Sequence, residues 1–114
     1  MKVRKDFVTN SSSSSFIVSR NDVSYDELTE ILLEIANEEV RWFDDGESYE
    51  NYGEISYRYE IQECTPEDPY EDWDGIKYDN DFIVDNNSCG RYDWTVIEKV
   101  LHKHKIPWEY GYCD

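Results

Sequence analysis

Any chemistry performed by this chain has to come from a short set of side chains. His102 and His104 stand two positions apart in a helical pattern, so their rings point in different directions, unlike the i, i+4 pair of a helical zinc site. That spacing favours solvated histidines among lysines. Cys64, Cys89 and Cys113 are odd in number and far apart, which makes neither a disulfide framework nor a C-x-x-C metal half-site. Glu98 precedes His102 by four residues, the spacing of a general base and its orienter, but equally that of an exposed helical ion pair. Asp79, Asp81 and Asp85 offer oxygen ligands for calcium, yet the loop glycine and the terminal bidentate glutamate of an EF-hand are missing. Neither a Ser-His-Asp ordering nor a glycine-rich phosphate loop is present. The expectation is a protein that is not an enzyme, with no cofactor and no metal.

Carboxylates are the abundant functional group. The 114-residue chain carries a formal charge of -16, and between Asp22 and Gly90 there are 22 acidic residues against Arg41, Arg58 and Lys77. The two ends hold eight basic and five acidic residues, so the charge is polarised along the sequence. At 100° per residue, Glu27, Glu30, Glu34 and Glu38 fall in one stripe of a helix, about 4.5 to 6 Å apart along its axis. Like charges at i, i+4 oppose helix formation by a few tenths of a kcal/mol each, so such a stripe has a cost of about 0.5 to 1 kcal/mol. Asp79, Asp81 and Asp85 stand on the outer face of a strand, where alternate residues are about 6.7 Å apart. Two loops complete the candidate partner-binding set: Asp44, Asp45, Tyr49 and Tyr52 in one, Tyr70, Asp72, Trp73 and Asp74 in the other. Aromatic anchors within a charged rim suit a protein interface. Against this stands the plainer account, that acidity serves solubility and each aromatic covers the edge of a core.

Several elements must position these groups. A strand is expected over 15–20, followed by a helix that Ser24 opens, with Glu27 three residues later completing a capping box. Leu28, Ile31, Leu32 and Ile35 recur at helical spacing behind it. Residues 54–62 alternate, with Ile55, Tyr57, Tyr59 and Ile61 inward, and residues 76–85 repeat the pattern except at Ile83. A long connection holding Pro66, Pro69 and Gly75 lies between them. A second helix begins near Asp93 and ends at Lys103, His104 and Lys105, before Pro107 and a last strand with Trp108, Tyr110 and Tyr112. The order β-α-β-β-α-β predicts an α+β fold, an antiparallel sheet of three to five strands with two helices on one face in a ferredoxin-like arrangement, the other face wet. A further strand at Val3 to Val8 also fits the alternation.

The length points to a single domain, 1–114, with a Ser-rich loop at 9–15. That loop has the composition of a solvated connection, although serine hydroxyls and backbone amides near Lys2, Arg4, Lys5 and Arg20 could also cradle an anion. No apolar run approaches the roughly 18 residues that span a bilayer, and the basic start leads into a polar Thr-Asn-Ser run instead of a signal sequence. A cytoplasmic protein without membrane contact is expected.

The stretch FVTNSSSSSFIV, after a short basic start, resembles the opening of many small uncharacterised proteins of low-GC Gram-positive bacteria and their phages. In composition and size the rest is similar to acidic phage-encoded inhibitors of bacterial defence, including anti-CRISPR proteins that imitate DNA. That resemblance implies a binding protein that blocks a basic, nucleic-acid-handling partner by electrostatic mimicry of DNA or RNA, without binding nucleic acid itself. The alternative is an accessory module whose acidity confers solubility and whose contacts run through the N-terminal Ser-rich motif.

Overall fold

The computed structural model describes residues 14–43, 46–71, 75–86 and 94–113. Its elements run β1 (Ser14–Ser19), α1 (Tyr25–Phe43), a 3-10 turn (Tyr52–Glu54), β2 (Tyr59–Cys64), β3 (Tyr70–Glu71), β4 (Lys77–Tyr78), β5 (Asp81–Asn86), α2 (Trp94–Lys103) and β6 (Glu109–Cys113). The capping box is formed as its spacing requires. Ser24 N–H donates to Glu27 Oε1 at 3.0 Å, and Glu27 N–H donates to Ser24 Oγ at 3.1 Å, satisfying two amides that the start of α1 would otherwise leave open. The last turn of α2 closes differently. Lys105 adopts a left-handed φ of 58°, its N–H donates to the His102 carbonyl, and the Ile106 N–H reaches back to Leu101. This is a Schellman closure with lysine where glycine is usual.

The main sheet has the order β2-β5-β1-β6, and every neighbouring pair is antiparallel. Hence β1 and β2 run parallel with β5 between them, and β5 and β6 run parallel with β1 between them. Each helix therefore spans a split β-α-β connection, and the fold is α+β. Both helices lie on one face. Phe16, Val18, Phe82, Val84 and Tyr59 of the sheet meet Leu28, Leu32 and Ile35 of α1 and Ile97 and Leu101 of α2. Burying each such side chain contributes about 1.5 to 3 kcal/mol, so this layer is what orients the sheet's opposite face.

That opposite face is not left wholly wet, contrary to the expectation from alternation. Ile17, Ile83 and Cys64 form a second apolar group there, covered by Tyr70 and Tyr78, whose rings stack at 6.2 Å from the paired β3 and β4. Ile83, the residue that broke the outer pattern, is fully buried for this reason. The strand expected over 76–85 is interrupted at Asp79 and Asn80: β4 serves the small hairpin, β5 serves the sheet, and Ile76 is 49% exposed.

Residues 54–62 are a second correction. Ile55 accepts hydrogen bonds from the N–H groups of both Arg58 and Tyr59, so the chain turns before β2 begins. Ile55 and Tyr59 then reach the core four residues apart, and Tyr57 is left 66% exposed. The expected loop at 9–15 is also shorter than predicted at its end. Ser14 and Ser15 belong to β1, where Ser15 pairs with Asp85 and is fully buried. The remainder of that loop and the strand at Val3 to Val8 lie outside the described residues.

Candidate functional site

The stripe on α1 is assigned largely to internal contacts. Glu27 is held by the cap, and its carboxyl sits below the usual carboxylate range because the Ser24 amide and hydroxyl donate to it. Glu34 accepts from Lys103 Nζ at 2.6 Å and lies 2.8 Å from His104 Nε2, both from the end of α2. Burial pulls its carboxyl upward, and the hydrogen bonds from Lys103 and His104 outweigh that, leaving it below the ordinary value. Glu38 pairs with Arg41 at 2.6 Å and with Lys99 at 3.7 Å. Of the four, Glu30 alone is exposed and makes no ion pair or cap with a described residue. Two of the four carboxylates of that stripe, Glu34 and Glu38, thus fasten α1 to α2.

The loop aromatics turn inward. Tyr49 and Tyr52 pack against the main core, and Tyr70 packs against Tyr78 on the far face. Asn37 Nδ2 donates to the Tyr49 carbonyl at 3.1 Å, and the Tyr49 N–H donates to Asn37 Oδ1 at 2.7 Å. The Tyr52 hydroxyl donates to the Tyr59 carbonyl at 2.6 Å, and burial above all pushes its pKa up to about 12. These three tyrosines cover core edges and are not free anchors. Asp44, Asp45, Asp72, Trp73 and Asp74 lie outside the described residues. Among the described residues exposed aromatic surface belongs instead to Tyr25, Trp42 and Tyr57, none of which was among the expected partner-binding residues.

What remains is the sheet face opposite the helices. Strand parity places Glu60 on β2, Asp81 and Asp85 on β5 and Glu109 on β6 on the same side as Ile17 and Ile83, and Glu60 is the direct cross-strand partner of Asp85. No lysine or arginine occurs in any of these four strands. Asp79 stands exposed in the turn that leads into β5. At the far end of β1 the face sinks into a cavity of about 220 Å³, lined by Ile17, Pro107 and Trp108 and by Asp22, Asp81, Glu109 and Ser19. Burial raises the Asp81 pKa above the usual carboxylate range; Glu109 and Asp79 add to the rise, and a hydrogen bond from the Asn80 backbone opposes it. The sequence reading selected Asp79, Asp81 and Asp85 but missed Asp22, Glu109 and the cavity, because β1 and β6 meet only through the fold.

Among the described residues no group of three or more histidine, cysteine or acidic side chains converges on a point that would hold a metal ion. No described helix is long and apolar enough to cross a membrane. Comparison with protein-family models, with curated proteins and with solved structures finds no match.

Proposed function

We propose that this is a non-enzymatic binding protein whose acidic sheet face occupies the basic surface of a nucleic-acid-handling partner, standing in electrostatically for the nucleic acid. The observation that carries this reading is the face of the main sheet on which Glu60, Asp81, Asp85 and Glu109 gather while none of its four strands supplies a lysine or arginine. Acids kept for solubility alone have no reason to be concentrated where they repel one another; the Asp81 carboxyl is raised first by burial, and Glu109 and Asp79 add to that rise. Nucleic-acid-binding proteins line their grooves with Lys and Arg against a dense row of phosphates. The sheet holds Glu60 and Asp85 about 5 Å apart across strands and Asp81 about 13 Å from Asp85 along β5, a rigid array of negative charge that a basic groove can meet.

Displacement tests this directly. Labelled duplex DNA bound to a lysine- and arginine-rich peptide is titrated with the protein at increasing salt. The protein displaces the DNA, its apparent affinity falls steeply with salt, and the triple variant Asp81→Asn, Asp85→Asn, Glu109→Gln loses most of the effect while Glu30→Gln retains it. Equal losses from the sheet and helix variants, or displacement that ignores salt, overturn the proposal.

A further inference from the structure

The cavity at the end of β1 has a more specific character than the face around it. It is lined by the apolar side chains of Ile17, Pro107 and Trp108 together with the carboxylates of Asp22, Asp81 and Glu109. Among the described residues no lysine, arginine or histidine lines it. None of these three carboxylates makes an ion pair with a described residue, whereas Glu34, Glu38 and Glu63 elsewhere on the surface each do. At about 220 Å³ the space is smaller than the roughly 300 to 1,000 Å³ clefts that take drug-sized ligands, and it suits one long side chain.

Resting on the acidic-face reading above, we infer that this cavity seats one arginine side chain of the basic partner, its stem on Ile17 and Pro107 and its guanidinium between the carboxylates of Asp81 and Glu109. Charge complementarity selects the sign of the occupant, and geometry selects its kind. A bare metal ion needs ligands converging within bonding distance, and the described acids do not converge in that way. A guanidinium spreads five donors over a planar fork, so it reaches carboxylates on separate strands at once, and its flat face stacks on an aromatic ring such as Trp108. An ammonium is a compact, strongly hydrated charge that gains less from an apolar lining.

The probes are Nα-acetyl-arginine amide, Nα-acetyl-lysine amide and the neutral isostere Nα-acetyl-citrulline amide, each titrated into the full chain and followed by NMR. The expected result is a saturable set of shifts at the Trp108 indole N–H and the Ile17 methyls with the arginine probe, weaker by about tenfold or more in Asp81→Asn and in Glu109→Gln, and absent with citrulline. Because either variant could alter packing, the retained shifts of Leu32 and Ile97 methyls, far from the groove in the helical layer, show that the fold is intact. Equal response to arginine and lysine, or shifts spread evenly over the acidic surface, overturn the inference. If the groove gives no shifts but the protein still displaces DNA from the basic peptide with salt sensitivity, the arginine seat falls and the acidic face stands. If both fail, the acidic-face reading falls as well.

Discussion

The Tyr59 hydroxyl donates a 2.5 Å hydrogen bond to Glu39 Oε1, and both side chains are closed off from solvent in the angle between α1 and the start of β2. Arg58 Nη2 reaches the same oxygen at 3.2 Å, and its Nη1 donates to the Tyr49 hydroxyl at 3.3 Å. A charge is thus carried inside a small domain and answered there by one of the three basic residues of the acidic stretch. Burial lowers the Arg58 pKa, but Tyr59 and Glu39 more than compensate, and the guanidinium is held charged. The Asn37 exchange with the Tyr49 backbone lies beside this group, so the connection that leads into β2 is tied to the helix at both Tyr49 and Arg58.

Removing one partner from such a group leaves the carboxylate buried without its counter-ion. Arg58→Met is expected to destabilise the fold by about 3 to 5 kcal/mol. Tyr59→Phe, which removes one donor to a charged acceptor, is expected to cost about 1.5 to 3 kcal/mol. The two losses will not add, because they share Glu39. Urea denaturation of the single and double variants measures both points, and additivity would show that the three groups act separately.

The Glu34 contacts with Lys103 and His104 predict a pH dependence whose sign follows from the carboxyl. Its pKa is lowered in the fold, so its contribution is present above the ordinary carboxylate range and is lost as pH falls through the folded value. Lys103 is raised by the same hydrogen bond, and its share is lost only as pH rises past the usual lysine range. Glu34→Gln should therefore lower the melting temperature at neutral pH and have no effect in acid. An unchanged difference across that range would mean that the pair is held by packing and not by charge.

Lysine at the close of α2 is a local conflict with a clear remedy. Lys105 stands at φ 58°, a conformation that costs an L-residue with a side chain about 1 to 2 kcal/mol and costs glycine little. Lys105→Gly should raise stability by about 1 kcal/mol, less the entropy that glycine adds to the unfolded chain. Thermal melts followed by circular dichroism read it out, and a loss of stability would show that the lysine side chain makes a contact worth more than the strain.

Local signals in the sequence were dependable where one residue sets one backbone group. Ser24 with Glu27 announced the start of α1, and the repeat of Leu28, Ile31, Leu32 and Ile35 marked its buried side. Alternation failed at Ile55 and Tyr59, because positions four apart satisfy both a strand face and a turn, and only the hydrogen bonds from Arg58 and Tyr59 to Ile55 decide between them. It failed again at Ile83, since a hairpin formed by Tyr70 and Tyr78 covers a face that alternation assigns to water. The candidate surface was legible in part. The excess of acid is visible in composition, but whether an acid is free depends on partners far along the chain, and Glu34 finds Lys103 only after α1 and α2 are brought together. Asp81 and Glu109 meet across β1 by the same route.

Asp81 allows stability and binding to be separated in one side chain. Burial, Glu109 and Asp79 hold its carboxyl above the usual range, so the folded state binds that proton more tightly than the unfolded state does. Ionised Asp81 therefore works against the fold at neutral pH, and the disadvantage disappears once pH falls below the ordinary carboxylate range, where both states are protonated. Asp81→Asn keeps an acceptor for the Asn80 amide and removes the charge. It should raise the urea midpoint at neutral pH, lose that advantage in acid, and weaken binding of the arginine probe. A residue retained only for solubility would show no such opposition, since its replacement would leave the probe's affinity unchanged. If Asp81→Asn is neutral or destabilising at neutral pH, the carboxylates at the end of β1 do not repel one another strongly enough to need an outside cation.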